Sequence, residues 1–178
     1  MPTFPSLNSY YAADVWTFLA ANGRAVLGEV ASNSAFAIDP DQRDAWVSQI
    51  QLLQTGLVGI QGTIFLEFNV PRIGTRLDAV LISGPAICPI EFKVGEPEFL
   101  RDHLNQVWDY GLDLKNFHRA SHSAPIYPIL VATEAPHSDT YFSEPHPDGV
   151  HPPAKCNSDG LRNLLSSALT TGTIQLNH

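Results

Sequence analysis

Three apolar segments separated by tight turns constrain this chain more than any other feature. They are TIFLEFNV (63–70), TRLDAVLI (75–82) and ICPIEFKV (87–94), with PRIG (71–74) and Ser83-Gly84-Pro85 between them. Runs of this length, rich in β-branched and aromatic residues and bounded by Gly and Pro, predict three strands in a meander. Period-two geometry places Ile64, Leu66, Phe68 and Val70 on one face of the first strand and Thr63, Glu67 and Asn69 on the other. In the third strand Ile90, Phe92 and Val94 share one face, and Glu91 and Lys93 share the opposite one.

Helical patterns flank the meander. Residues 9–34 read as one or two short helices broken at Asn22-Gly23. Asp39 then predicts an N-cap, Pro40 suits the first helical position, and Gln42 sits where a capping box places its third residue. Trp46, Ile50, Leu53 and Leu57 form one apolar stripe, which ends at Gly59 and Gly62. A long helix is predicted from Pro97 to about His118, with Leu104, Val107, Gly111 and Leu114 facing the core. Gly111 costs a helix roughly 1 kcal/mol relative to Ala, so it implies a close neighbour. IYPILVAT (126–133) reads as a buried strand, with Pro128 demoting its first half to an edge or a bulge. Residues 134–158 read as a long loop whose His137, His146 and His151 match no zinc spacing and are expected in solvent. DGLRNLLSSAL (159–169) predicts a last amphipathic helix. The order helix, three-stranded meander, helix, strand defines an α/β class with a mixed sheet flanked by helices. Residues 1–38 are expected as a helical extension to a domain over 39–178, the whole forming one globular unit.

Composition narrows the function. The chain has 178 residues, 44% of them hydrophobic, enough for one sizeable core and against disorder. No apolar run reaches the roughly 18–20 residues that span a bilayer, and MPTFPSLNSYY lacks the basic and apolar regions of a secretory signal. Cys88 and Cys156 make no disulfide framework, so a cytoplasmic setting is the default expectation, with Cys88 in the core. Trp46 and Trp108 are likewise expected in the core. The formal net charge of -8 argues against an autonomous, tight nucleic-acid binder, because such binding rests on neutralising phosphates.

The polar faces carry the chemistry. Glu91 and Lys93 stand about 7 Å apart on one strand face, and Asp78 reaches that face if the preceding strand pairs alongside. Two carboxylates converging at a sheet end suit Mg²⁺ or Mn²⁺, hard cations that take oxygen ligands and keep several waters. Such an ion acidifies water for attack on phosphorus, and the neighbouring lysine can position that water or stabilise charge on phosphate. Glu67 is a further candidate ligand. Gln106 and Tyr110, four residues apart, share a helix face that His103 and Asp113 extend. Gln106 can hydrogen-bond water or phosphate, and Tyr110 can contact phosphate or stack on a base. Arg72 and Arg76 flank the Asp78 hairpin as candidate phosphate contacts, and Lys115 on the long helix and Arg119 just past its end join them as nucleic-acid-binding candidates.

Together these residues resemble the PD-(D/E)xK nuclease superfamily. RLD supplies Asp78, Glu91-Phe92-Lys93 supplies the E-x-K, and Gln106-Val-Trp-Asp-Tyr110 resembles the QxxxY motif of its recombination and CRISPR-associated exonuclease branch. The string PRIGTRLDAVLI…IEFKVGE…QVWDYGLDLKNFH…PILVAT is also similar to the N-terminal region of a bacterial family in which a helicase-like P-loop ATPase follows. The resemblance implies a restriction-endonuclease-like core and metal-dependent cleavage of DNA. It also implies a helicase-like ATPase partner domain, which is not in this chain because no GxxxxGK[ST] motif occurs. The superfamily often carries a glutamate on the helix before the first strand; here that helix offers Asp44, Gln49, Gln51 and Gln54. Leu77 stands where a proline would precede the first acid. The alternative is a nuclease-fold module that binds nucleic acid or protein with little or no catalysis. Hydrolysis of a small phosphorylated substrate is a third reading.

Overall fold

The computed structural model describes residues 8–70, 73–117 and 121–174. Its elements run β1 (Tyr11–Asp14), α1 (Val15–Ala20), α2 (Gly23–Asn33), α3 (Pro40–Gly56), β2 (Thr63–Asn69), β3 (Arg76–Ser83) and β4 (Ala86–Lys93). Then follow α4 (Arg101–Phe117), β5 (Ile129–Ala132), β6 (Ala154–Cys156) and α5 (Leu161–Ile174). One six-stranded sheet is ordered β1-β2-β3-β4-β5-β6. Its first four strands pair antiparallel, while β4, β5 and β6 are mutually parallel. The helical connection α4 between β4 and β5 is what a parallel pair requires. The class is therefore α/β, a mixed sheet flanked by helices.

Two cores lie on the two faces of the sheet. One gathers Phe18, Val26, Val30, Ile50, Leu53, Leu57 and, from α5, Leu161, Leu164 and Leu165 against Ile64, Leu81, Ile90 and Ile129. The other packs Leu114 of α4 against Phe65, Phe68, Leu77, Val80 and Ile87. The α3 stripe is as expected: Leu53 and Leu57 are fully buried and Trp46 and Ile50 nearly so, each buried side chain contributing about 1.5–3 kcal/mol of apolar transfer. Asp39 caps α3 by accepting the Gln42 N–H at 2.8 Å. Gly111 permits the approach inferred from sequence, since a Cβ there would stand 3.0 Å from Pro128 Cγ and 3.5 Å from Ile126 Cγ2. Among the described residues, no helix is long and apolar enough to cross a membrane.

Several expectations are corrected. YAAD (11–14) is strand β1 and not helix, and Asp14 both ends it and caps α1 by accepting from Thr17. Residues 8–38 thus hold the two expected short helices, α1 and α2, broken at Asn22, and add a sheet strand and core residues to them. Helix α4 starts at Arg101, four residues after Pro97, with the Leu104 N–H closing its first turn onto Leu100. Strand β5 is interior, not an edge, because β6 covers it. Pro128 lies just before β5, and its carbonyl accepts from the Ala154 N–H at 3.0 Å, so the missing donor does not break the sheet. The expected loop 134–158 contains β6 and buries His151, which stacks on Tyr127 at 4.2 Å and bonds Ser143 O through Nδ1 at 2.8 Å. Its pKa is lowered, burial being the main cause. Trp108 is only half-buried and stacks on His146 at 5.3 Å. Cys88 and Cys156 are both buried, and burial pushes each thiol up to about 12.

Candidate active site

The site forms where the β2–β3 ladder is interrupted at one residue and the β3–β4 ladder ends. In β2 the alternation fails at Glu67, whose φ of 52° lies in the left-handed region. For a residue other than glycine this conformation costs on the order of 1–3 kcal/mol and is found where surrounding structure enforces it. Phe68 and Val70 consequently join the core under α4, whereas Ile64 and Leu66 face the other one, which corrects the single face expected for all four. Glu67 falls between the pairs Leu66↔Ala79 and Phe68↔Leu77, level with Asp78. The β3–β4 register begins only at Ala79↔Ile90. Beyond it, the Phe92 N–H is donated to Asp78 Oδ2 at 2.8 Å. A side chain thus replaces the backbone acceptor that a continuing ladder would supply, and the strands splay around it.

Three expected residues meet at this splay. Glu91 is buried, and Lys93 Nζ lies 3.2 Å from Glu91 Oε1. The carboxyl groups of Asp78 and Glu91 are within hydrogen-bonding reach of each other. Burial and the neighbouring Glu91 hold the Asp78 carboxyl well above the usual range. Burial also raises Glu91, against the pull of Lys93. Glu91 Oε2 is buried and receives no donor among the described residues. Two facing carboxylates with one orphaned oxygen and a single lysine are short of positive charge, which a proton or a hard divalent cation can supply.

Helix α4 brings Gln106 and Tyr110 over the same cleft. Gln106 Nε2 donates to the Tyr110 hydroxyl at 2.7 Å. The Tyr110 phenol is pushed up to about 12, first by burial and then by the charge of Glu91, with Asp78 adding to it. Beside them opens a pocket of about 490 Å³ lined by Thr75, Asn105, Asp102, Asp109 and Asp113 as well. Burial and Asp109 raise the Asp113 carboxyl.

Other expected residues stand elsewhere. Among the described residues no three His, Cys, Asp or Glu side chains are grouped to hold one metal ion. The buried Trp46 indole donates to Glu67 Oε1 at 2.9 Å. Burial, then the charge of Asp78, raises Glu67 to about 7. This role of Trp46 was missed from sequence; the available signal was that a buried indole N–H, a donor only, needs an acceptor. Of the α3 candidates, Gln54 ties down the carbonyls of Phe18 and Ala21, both at 3.0 Å, while Gln49, near Trp46 in α3, is buried. Arg76 places its guanidinium 4.3 Å from the Tyr10 ring centre. Lys115 is engaged with Ala124 O at 2.8 Å, away from the cleft chemistry. Arg72 and Arg119 lie outside the described residues.

Compared with protein-family models, curated proteins and solved structures, the chain matches none.

Proposed function

We propose that this chain is a metal-dependent phosphodiesterase of the PD-(D/E)xK type, cleaving DNA as the nuclease module of a larger helicase-like protein. The observation that carries the reading is Glu91 Oε2, buried and without a donor among the described residues, in a carboxyl that neighbours Asp78 and holds Lys93 on its other oxygen. The succession α3, β2–β4, α4, β5 also supports a restriction-endonuclease-like core, as the motifs imply. In this reading Asp78 and Glu91 hold Mg²⁺ or Mn²⁺. When bound, the ion supplies Lewis acidity toward phosphate and acidifies water. Lys93 places its ammonium against the attacked phosphate and offsets charge that grows there. Phe92 N–H fixes the Asp78 carboxylate, limiting its rotation. Gln106 and Tyr110 present a linked amide and hydroxyl that orient the substrate strand, and the high phenol pKa keeps Tyr110 a hydrogen donor at neutral pH.

A second reading is a nuclease-fold module that binds without cleaving. It is favoured by Asp102, Asp109 and Asp113 in the pocket beside Gln106, which repel phosphate, and by the net charge of -8. Incubation with supercoiled, linear and single-stranded DNA in Mn²⁺ separates the two. Catalysis predicts cleavage that EDTA abolishes and that Lys93→Ala slows by about 100-fold or more, the scale of losing one electrostatic stabiliser. Cleavage undiminished in Lys93→Ala, or none with either metal, sinks the catalytic assignment.

A further inference from the structure

A second polar pocket, of about 350 Å³, lies along the β2–β3 edge of the carboxylate cleft. Its wall includes Ser9, Tyr10, Asn33, Glu67, Asn69 and Arg76. The wall is built, not loose. The Asn33 amide donates to Tyr10 O at 2.8 Å, and the Arg76 guanidinium lies over the Tyr10 ring. Asn69 and Arg76 are register partners. The wall is also incompletely satisfied. Arg76 Nε and Ser9 Oγ are buried without hydrogen-bond partners among the described residues. Glu67, its Oε1 held by the Trp46 indole, lines the wall beside these unpaired groups. Native interiors seldom leave such groups unpaired unless something else supplies the partner.

The chemistry of this wall is specific. It sets a carboxylate acceptor beside an arginine donor, with carboxamides that can do either. A phosphate fits the arginine but is repelled by Glu67. A nucleobase needs both. Guanine carries N–H donors on its Watson–Crick edge and the acceptors O6 and N7 next to them, and arginine pairs well with that O6/N7 edge. Those donors are free only when the base is unpaired or turned out of the stack. Arg76 is two residues from Asp78 on one strand, about 7 Å away, within the reach of a single nucleotide.

We propose that this pocket binds one unpaired nucleobase, guanine above the others, of the strand whose phosphate lies at Asp78 and Glu91. The proposal rests on the nuclease reading, and it gives that site a base preference. Trp46 provides a local reporter, because its indole N–H is bonded to Glu67. Its resonance is assigned with Trp46→Phe, and GMP, AMP, CMP and UMP are titrated in EDTA, with ribose 5-phosphate as the control. GMP is expected to move the Trp46 indole signal while the exposed Trp16 signal stays fixed. Its affinity is expected to fall at least tenfold in Arg76→Ala and in Asn69→Ala. Should either variant lose the dispersed spectrum of the folded protein, the other carries the comparison. Three results would overturn the proposal: no nucleotide moving the signal, ribose 5-phosphate moving it as far as GMP, or all four nucleotides binding alike. No cleavage is measured, so an inactive carboxylate pair leaves this outcome untouched, and an empty pocket leaves the plasmid assay untouched.

Discussion

Glu67 illustrates how one residue couples stability to pH. Burial raises its carboxyl from an ordinary value to about 7. An acid whose folded pKa lies above its unfolded value binds more protons when folded, so its contribution is fully present below the unfolded pKa and is lost as pH rises through about 7. At about 1.4 kcal/mol for each pKa unit, the group costs on the order of 3 kcal/mol once ionised. Without metal, the protein is therefore expected to melt at a lower temperature at pH 8 than at pH 5. Glu67→Gln is expected to melt several degrees above the natural protein at pH 8 and close to it at pH 5, as thermal denaturation in EDTA would record. A Glu67→Gln variant with the unaltered pH slope would show that the carboxyl is not desolvated as described. Trp46→Phe works in the opposite direction: it leaves Glu67 Oε1 buried and undonated, costing about 1–3 kcal/mol in urea denaturation. Little of this was legible in sequence. The residue types were visible, but the left-handed turn at Glu67 that sets it level with Asp78 has no local signature, and so Trp46 was read as core alone.

Elements were legible in proportion to how local their causes are. Helix α3 announces itself through Asp39, Pro40 and a four-step apolar stripe, all within one stretch of chain. The meander likewise follows from alternation and turn residues. By contrast β1 and β6 have four and three residues, too short for a period to show, and each exists because a longer neighbour offers it backbone partners. Tyr11 pairs with Leu66, and Ala154 with Ile129. The seating of α4 against the sheet shows the same dependence on long-range packing, since Gly111 makes sense only beside Pro128. Gly111→Leu is expected to cost about 1–3 kcal/mol, the usual penalty for overpacking, and to lift Gln106 and Tyr110 from the cleft. Urea denaturation measures the first effect. For the second, the tyrosine's absorbance titration should move from about 12 back toward the ordinary phenol value. An unchanged stability would mean that α4 is free to slide.

At the scale of the whole molecule, the site lies at a seam in the sheet. The antiparallel half supplies both acids and the lysine, the crossover helix supplies the amide and phenol, and Ser9 and Tyr10, just before β1, join Asn33 in the wall beside Glu67. Asp78, Glu91, Glu67 and the three aspartates of α4 are six of the eighteen acidic residues of the chain, and the proposed function gives those at the cleft a cation as counterpart. Mg²⁺ at ten times its Kd is expected to add about 1.4 kcal/mol by mass action, a rise of roughly 3–6 °C in Tm for a chain of this size. The rise should be larger at pH 8 than at pH 5.5, because protons compete for the same oxygens at the lower pH. An equal rise in Asp78→Asn would place the ion elsewhere. The parting of β3 and β4 has one more consequence. With Asp78 as its acceptor, the Phe92 amide is a backbone proton whose exchange with deuterium depends on the charge of a side chain. If the proposed ion binds there, it would ionise that carboxylate and strengthen its hold on the donor, so this one amide would report occupancy, its exchange slowing when the cleft is filled while its neighbours in the regular ladder keep their pace.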